Sequence, residues 1–178
     1  MLQRFIPTFH AYNIFLIDYN KLKQLNLIHL FFDLDNTLSA YYAKTPNEQV
    51  ITFIKKLKMK GFHVYVISNN HEERVAPFVE PLQVEYIFET KKPSIRKIRK
   101  FIEQKNLNFS QCILIGDQIF TDVLCANRLG ISSILVEPFV TKDLPITRFN
   151  RFFDRRLRRI FKKKNYLCSI ERSKEIND

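Results

Sequence analysis

Short apolar runs alternate along the chain with segments in which apolar residues recur every three or four positions. The runs are rich in β-branched and aromatic residues and end abruptly in polar ones, which is typical of strands in a parallel sheet. The segments between them have the spacing of amphipathic helices. Five strands are predicted, over residues 28–32, 63–67, 84–88, 112–115 and 134–136. The pattern predicts a three-layer, Rossmann-like α/β fold, with about five parallel strands and helices on both faces of the sheet.

Four helices are predicted to connect these strands. The first covers residues 46–60, where Val50, Ile54 and Leu57 share one face. The Thr-Pro-Asn-Glu segment at 45–48 offers a capping box with proline at the first helical position. The other three are predicted over 71–79, around 95–102 and over 121–129, and Gly130 is a typical C-cap for the last.

Polar side chains follow four of the predicted strands, at the point where each strand ends. Right-handed crossovers bring the carboxyl ends of parallel strands to one edge of the sheet, which is where ligands bind in such folds. The candidates are Asp33, Asp35 and Thr37 after the first strand, Ser68 and Asn69 after the second, Lys92 after the third, and Asp117 and Asp122 after the fourth. A single Asp-x-Asp pair is common in solvated turns, but four strand ends of this kind predict one shared site.

Carboxylates that meet in one place repel one another, and their pKa values rise unless a cation joins them. A hard divalent ion with oxygen ligands satisfies this requirement. Magnesium suits the task because it accepts a few carboxylates, keeps some waters and engages a substrate phosphate. A lysine and a serine hydroxyl can then take up the remaining phosphoryl charge. The residues therefore predict phosphate chemistry with Mg²⁺ as the cofactor.

Four segments resemble the four motifs of the haloacid dehalogenase (HAD) superfamily, in order and in spacing. They are Asp33-Leu34-Asp35-Asn36-Thr37, Ser68, Lys92-Pro93, and Gly116-Asp117 followed after four residues by Asp122. The resemblance implies that Asp33 attacks phosphorus, and that Asp35 protonates the leaving oxygen and later activates water. Aspartate at position 35 is typical of the phosphatases and phosphomutases of the superfamily. An aspartyl phosphate also divides one difficult displacement into two easier ones.

The resemblance assigns the remaining candidates to phosphate or metal. Ser68 and Lys92 would hold the phosphoryl oxygens, and Thr37 and Asn69 are further candidates for that contact. Asp33, the main-chain carbonyl of Asp35, and Asp117 would ligate Mg²⁺, with Asp122 supporting them from the second shell. Plainer alternatives stand beside these roles: Thr37 caps its turn, Asn69 caps the following helix, Lys92 forms a solvated pair with Lys91, and Asp122 charges a helix start.

No cap domain is expected over the site. Superfamily members with small soluble substrates often carry a cap, inserted after the first motif or between the second and third. Here residues 38–45 leave room for only a small flap, and 69–91 hold one helix and one short strand. We therefore expect an open site, which favours a phosphate on a large carrier such as a lipid at a membrane, a protein or a nucleic-acid end.

The net charge of +11 is concentrated near the carboxyl end. Residues 147–164 hold nine Lys or Arg and one Asp, whereas 1–146 carry only +4. Apolar residues in the basic segment follow helical spacing, at Phe149, Phe152, Phe153, Leu157, Ile160 and Phe161. A basic amphipathic helix is predicted, and its apolar face either packs on the domain or lies on anionic lipid. The predicted organisation is a phosphatase domain over 1–146, this helix over 147–164, and a flexible tail over 165–178.

The overall plan resembles the capless subfamily IIIA, YqeG-like branch of the superfamily, which is related to phosphatidylglycerophosphate phosphatases. The resemblance implies a Mg²⁺-dependent phosphomonoester hydrolase that acts on a lipid phosphate such as phosphatidylglycerophosphate. The charge of the predicted basic helix adds an anionic membrane surface as a candidate partner of residues 147–164. Two alternatives remain open at this point. One is a phosphatase of soluble nucleotide or sugar phosphates, and the other is a non-catalytic protein that binds RNA or the ribosome. Nucleic acid is the less favoured partner, because no stacking module is present.

Cysteine and hydropathy patterns indicate the compartment. The three cysteines are Cys112, Cys125 and Cys168, and without a Cys-x-x-Cys pair they argue against a disulfide framework or a zinc site. The chain has no apolar stretch of the length that a signal peptide or a membrane span requires. We expect a cytoplasmic protein that lies peripherally on the inner face of the membrane.

Overall fold

A parallel sheet forms the centre of the fold. The computed structural model describes residues 2–140 and 148–172. The strands are β1 (Phe9–Ala11), β2 (His29–Asp33), β3 (His63–Ile67), β4 (Glu85–Ile87), β5 (Cys112–Gly116) and β6 (Ser132–Val136). The α-helices are α1 (Tyr19–Gln24), α2 (Glu48–Met59), α3 (Glu72–Val79), α4 (Arg96–Gln104), α5 (Leu124–Leu129) and α6 (Arg148–Lys163). The strand order is β1-β6-β5-β2-β3-β4, which confirms the predicted α/β fold.

The register of the central strands brings the ends of three of them together. β2 lies between β5 and β3, with Phe32 opposite Ile115 and Asp33 opposite Ile67. Asp33 is the last residue of β2, so its neighbours across the sheet edge are the residues that follow β3 and β5. Those residues begin with Ser68 and Asp117. The sheet therefore places the predicted candidates at one edge.

Side chains of β2 alternate between the two faces of the sheet, as the two-residue period of a strand requires. Leu30 and Phe32 pack on the face that α1, α2 and α3 cover, whereas Phe31 packs against α4 and α5 on the other face. All three side chains are fully buried. Burial of each contributes about 1.5–3 kcal/mol to stability, so the strand that carries Asp33 is held firmly from both sides.

The start of α2 differs from the predicted capping box. Asn47 is the N-cap, and its Oδ1 accepts a hydrogen bond from the Val50 amide at 2.9 Å. The helix therefore begins at Glu48, and Thr45 lies exposed ahead of it. Asparagine is at least as good an N-cap as threonine, which explains the later start.

All five predicted strands are present, but two elements near the amino terminus were missed. β1 has only three residues and pairs with β6 at the sheet edge, and α1 has only six. No cap domain is inserted between β2 and β4, a part of the chain that the structure describes throughout. Residues between β2 and α2 form a loop, and only α3 and a short 3-10 turn separate β3 from β4.

The basic helix α6 packs three of its described apolar side chains on the domain. Phe161 is fully buried, and Leu157 and Ile160 are partly buried beside Phe5 and Ile6 of the amino-terminal segment. This is one of the two alternatives left open for the apolar face. Phe153 is 39% exposed, although its ring contacts that of Phe120. The side chains of the other two predicted apolar positions, Phe149 and Phe152, lie outside what the structure describes.

Part of the segment predicted as a flexible tail returns to the sheet. Ser169 forms a β-bridge with His10, and Ile170 is buried in the main core. Residues 173–178 of that segment, and 141–147 ahead of α6, lie outside the described residues. Among the helices that the structure describes, none is both long enough and apolar enough to cross a bilayer.

Candidate active site

Lys92 joins two of the predicted acidic residues at the carboxyl edge of the sheet. Its Nζ donates to Asp33 Oδ1 at 2.5 Å and to Asp122 Oδ1 at 2.7 Å. The Lys92 side chain is only 2% exposed, whereas the adjacent Lys91 is exposed. Lys92 is thus the lysine that enters the site, and it lies between the ends of β2 and β5.

Asp117 completes a cluster of three carboxylates with Asp33 and Asp122. One oxygen of each lies within 4.8 Å of the others, and all three residues are buried. Asp122 is held by the amide of Gln118, which donates to its Oδ2 at 3.0 Å. Gly116 permits this approach, because a Cβ at that position would lie 2.3 Å from Asp122 Cγ.

Burial dominates the electrostatics of this cluster. Desolvation raises the pKa of Asp33 well above its usual value; Lys92 opposes this effect, and Asp122 and Asp117 reinforce it. Desolvation alone would lower the pKa of Lys92, but the carboxylates of Asp122 and Asp33 outweigh it and hold that pKa above the ordinary value. Lys92 therefore stays charged among carboxylates that outnumber it.

The donor set fits a hard divalent cation. The atoms that could ligate an ion here are all carboxylate oxygens, which Mg²⁺ prefers to nitrogen or sulfur. An added cation would also relieve the repulsion among Asp33, Asp117 and Asp122. On both counts the residues present suit the magnesium site expected from the sequence.

Asp35 lies at the mouth of the site, with its side chain 23% exposed. Its Oδ1 accepts a hydrogen bond from Arg74 Nη2 at 2.7 Å, and its Oδ2 accepts one from Asn70 Nδ2 at 2.5 Å. Desolvation raises the pKa of Asp35 above its ordinary value, although Arg74 opposes the shift. A raised pKa favours the protonated carboxyl that a general acid requires.

Arg74 was not identified from the sequence. It projects from α3, and the same Nη2 that meets Asp35 also donates to the Tyr41 carbonyl at 3.2 Å. It therefore ties the acid to the short flap after β2. Nothing in the sequence separates this arginine from the many other basic residues, since its partners come from a different element.

Ser68 and Asn69 are both at the site edge, but their side chains are engaged differently. Ser68 is buried, and its Oγ accepts a hydrogen bond from the Asn70 amide at 3.1 Å. Asn69 Oδ1 accepts from Thr90 Oγ1 and from the Lys92 amide, both at 2.7 Å, and its Nδ2 donates to the Lys92 carbonyl at 3.2 Å. The Asn69 carboxamide thus braces the segment that carries Lys92.

Thr37 is buried below the flap, and its Oγ1 has no hydrogen-bond partner among the residues that the structure describes. It lines a crevice of about 200 Å³ with Tyr12, Glu137 and Phe139. The structure therefore does not show Thr37 capping its own turn through the hydroxyl.

Comparison with known proteins identifies the group to which this arrangement belongs. A sequence model of the haloacid dehalogenase-like hydrolase family matches residues 19–136, the part of the chain that runs from α1 to the end of β6. The chain belongs to this family. The order of motifs along the chain and their meeting at one sheet edge agree with that membership.

Two curated relatives of this HAD protein carry phosphatase names. The chain is 38% identical over 168 residues to the probable phosphatase YqeG of Bacillus subtilis (strain 168), covering 94% of this chain and 98% of the relative. It is 28% identical over 156 residues to phosphatidylglycerophosphate phosphatase 1, chloroplastic/mitochondrial, of Arabidopsis thaliana, covering 81% of this chain but 42% of that protein. The predicted enzyme class, a phosphatase of the HAD superfamily, is confirmed.

A solved structure shows the same fold. The D,D-heptose 1.7-bisphosphate phosphatase from B. bronchiseptica, complexed with magnesium and phosphate, superposes with a TM-score of 0.50 at 14% identity. The match covers 60% of this HAD chain and 79% of the other. At this identity the likeness concerns the fold.

Proposed function

We propose that this phosphatase hydrolyses phosphomonoesters through an aspartyl-phosphate intermediate on Asp33, with Mg²⁺ as its cofactor. The observation that carries the proposal is the position of the Asp33 carboxylate. It lies 2.5 Å from the Lys92 ammonium and within 4.8 Å of the Asp117 and Asp122 carboxylates. A nucleophile, a cation for phosphoryl oxygens and a metal-binding donor set therefore meet at one point.

The proposed reaction has two displacements. In the first, an Asp33 carboxylate oxygen bonds to phosphorus while the bond from phosphorus to the leaving oxygen breaks, and Asp35 gives that oxygen a proton. In the second, Asp35 takes a proton from water as the water attacks phosphorus, which releases inorganic phosphate and restores Asp33. The raised pKa of Asp35 supports its role as the acid in the first displacement.

Asp33, the main-chain carbonyl of Asp35, and Asp117 would hold the Mg²⁺ ion. When bound, Mg²⁺ neutralises charge that develops on the phosphoryl oxygens. The magnesium and phosphate reported with the heptose bisphosphate phosphatase support this choice of ion. Asp122 contributes indirectly, because it orients Lys92 at 2.7 Å and is itself fixed by the Gln118 amide.

Lys92 and Ser68 would bind the phosphoryl oxygens. Asn69 supports this contact, because its carboxamide hydrogen-bonds both the amide and the carbonyl of Lys92. Asn69 is itself exposed at the same edge of the sheet and is a further candidate for phosphate binding. The Thr37 hydroxyl is a further phosphate-binding candidate, because it lies four residues after Asp33 and is buried with no partner among the described residues.

A lipid phosphate such as phosphatidylglycerophosphate is the proposed substrate. Two features support it: no cap domain is inserted between β2 and β4 among the described residues, and the Arabidopsis relative is named for that lipid. α6 also exposes Arg156, Arg159, Lys162 and Lys163, which would meet an anionic membrane surface. Since Leu157, Ile160 and Phe161 pack on the domain, the proposed contact with lipid is made by this charged face.

The test is Mg²⁺-dependent phosphate release from phosphatidylglycerophosphate in anionic mixed micelles, beside a panel of soluble nucleotide and sugar phosphates. The parent and Asp33→Asn are compared, with circular dichroism as the check on folding. We expect the lipid to be the preferred substrate, and the activity to vanish with a chelator and in Asp33→Asn. Preference for a soluble ester would be consistent with the proposed mechanism but would contradict the proposed lipid substrate. Failure of every substrate with folded protein would favour a non-catalytic role.

A further inference from the structure

Helix α6 contacts the loop that carries two of the three clustered carboxylates. Residues 117–123 link β5 to α5 and include both Asp117 and Asp122. Phe120 of this loop packs against Phe153 of α6, with ring centroids 6.3 Å apart. One turn of the helix therefore lies directly against the loop.

Asp154 makes the first polar contact from this turn. It is 2% exposed although it belongs to a helix rich in Arg and Lys, and its Oδ2 accepts a hydrogen bond from the Ile119 amide at 3.0 Å. Ile119 begins the helical turn that ends at Val123. The acid therefore fixes the start of the turn on which Asp122 is carried.

Arg158, four residues further along α6, makes the second contact. Its Nη2 donates to the Asp117 carbonyl at 2.6 Å and to the Val136 carbonyl at 2.9 Å. Its Nη1 donates to Glu137 Oε1 at 2.9 Å. The guanidinium thus joins the carboxyl ends of β5 and β6, and both of its terminal nitrogens donate hydrogen bonds.

The exposure of Arg158 separates it from the other cations of the helix. Its side chain is 15% exposed, whereas Arg156 and Arg159 are exposed. A role at a lipid surface therefore suits the neighbours and not Arg158. Its contacts are with the main chain beside a metal-binding carboxylate, which is the position of a residue that orients a ligand.

We propose that Arg158 and Asp154 are positioning residues, which hold Asp117 and its loop in the geometry that binds the divalent cation. The inference rests on the proposed role of Asp117 as a metal ligand. Arg158 fixes the carbonyl of Asp117, and Asp154 fixes the amide two residues later, so the backbone that follows the Asp117 side chain is restrained at two points. α6 thereby supports the metal site through its hydrogen bonds to the Asp117 loop.

The experiment measures metal binding directly, with Mn²⁺ as the probe. Electron paramagnetic resonance of free Mn²⁺ gives its Kd for the full-length parent, Arg158→Gln, Arg158→Lys and the matched control Arg159→Gln. Loss of a hydrogen bond that orients a metal ligand typically weakens metal affinity about 10–100-fold. We therefore expect the Mn²⁺ Kd of Arg158→Gln to rise at least about tenfold. Arg158→Lys should recover part of the affinity, and Arg159→Gln should match the parent.

A second measurement distinguishes positioning from a general loss of structure. The Mg²⁺ concentration that gives half-maximal activity should rise in parallel with the Mn²⁺ Kd, while kcat at saturating Mg²⁺ stays within about threefold of the parent. If circular dichroism shows that Arg158→Gln does not fold, the Mn²⁺ Kd values of Asp154→Asn and Arg158→Lys are compared with that of the parent instead. A folded Arg158→Gln with the parent's Kd overturns the inference. A parent that binds no Mn²⁺ contradicts the proposed metal site itself.

Discussion

At the scale of single residues, the site combines groups that the sequence identifies with groups that only the fold identifies. Asp33 ends β2 and Asp117 directly follows β5, so an apolar run followed by a polar residue is enough to find them. Lys92 and Asp122 lie five and six residues beyond their strands, and their roles depend on the resemblance to the family motifs. Arg74 and Arg158 act on residues of other elements, and their positions in helices carry no such signal. Their roles depend on packing that a linear pattern does not encode.

Substitution of Lys92 tests directly how much one side chain contributes to catalysis. We expect Lys92→Ala to lower kcat by about 100–1000-fold, because the transferring phosphoryl group would lose a preorganised cation. Steady-state phosphate release at saturating Mg²⁺ measures the change. Lys91→Ala is the matched control, since Lys91 is adjacent but exposed. Equal effects of the two substitutions would show that net charge, and not the position of Lys92, matters.

At the scale of elements, the sequence predicts the strands better than the ends of helices. Strands β2, β3 and β5 are long apolar runs whose burial leaves little choice of position. β1 escapes prediction because three residues are too few to show a period, and its pairing with β6 joins segments far apart in the chain. The residues around 170 return to the sheet for the same non-local reason.

The start of α2 illustrates how two plausible caps compete. Thr45 and Asn47 both precede the helix, and the structure uses Asn47. We expect Asn47→Ala to lower the free energy of unfolding by about 1 kcal/mol, because the Val50 amide loses its side-chain acceptor. Urea denaturation of Asn47→Ala beside Thr45→Ala measures this. A larger loss in Thr45→Ala would restore the capping box predicted from sequence.

At the scale of the whole molecule, α6 has two different surfaces. Its inner surface packs on the core and contacts the loop of Asp117, while its outer surface presents cations to solvent. The sequence predicts a basic amphipathic helix correctly, but amphipathic spacing is the same for a helix that packs on protein and one that lies on lipid. Only the position of the helix on the domain separates these cases.

The outer surface of α6 gives a prediction about membranes. We expect the triple substitution of Arg159, Lys162 and Lys163 by Ala to weaken binding to anionic vesicles about 100-fold at low salt, since each basic residue near such a surface contributes ~1 kcal/mol. Vesicle co-sedimentation measures the partition coefficient. The control removes equal charge from α2 and its C-cap, with Lys55, Lys56 and Lys60 changed to Ala. Similar losses in both proteins would argue against a surface specific to α6.

The aspartyl phosphate on Asp33 is tested most directly by trapping it. p-Nitrophenyl phosphate has a leaving group that needs no proton, so Asp35→Asn should still form the intermediate but hydrolyse it slowly. Acid quench, borohydride reduction and mass spectrometry of peptides then locate the modified residue. We predict conversion of Asp33 to homoserine in Asp35→Asn and no modification in Asp33→Asn. Modification of a different residue, or phosphate release that persists in Asp33→Asn, would contradict the account.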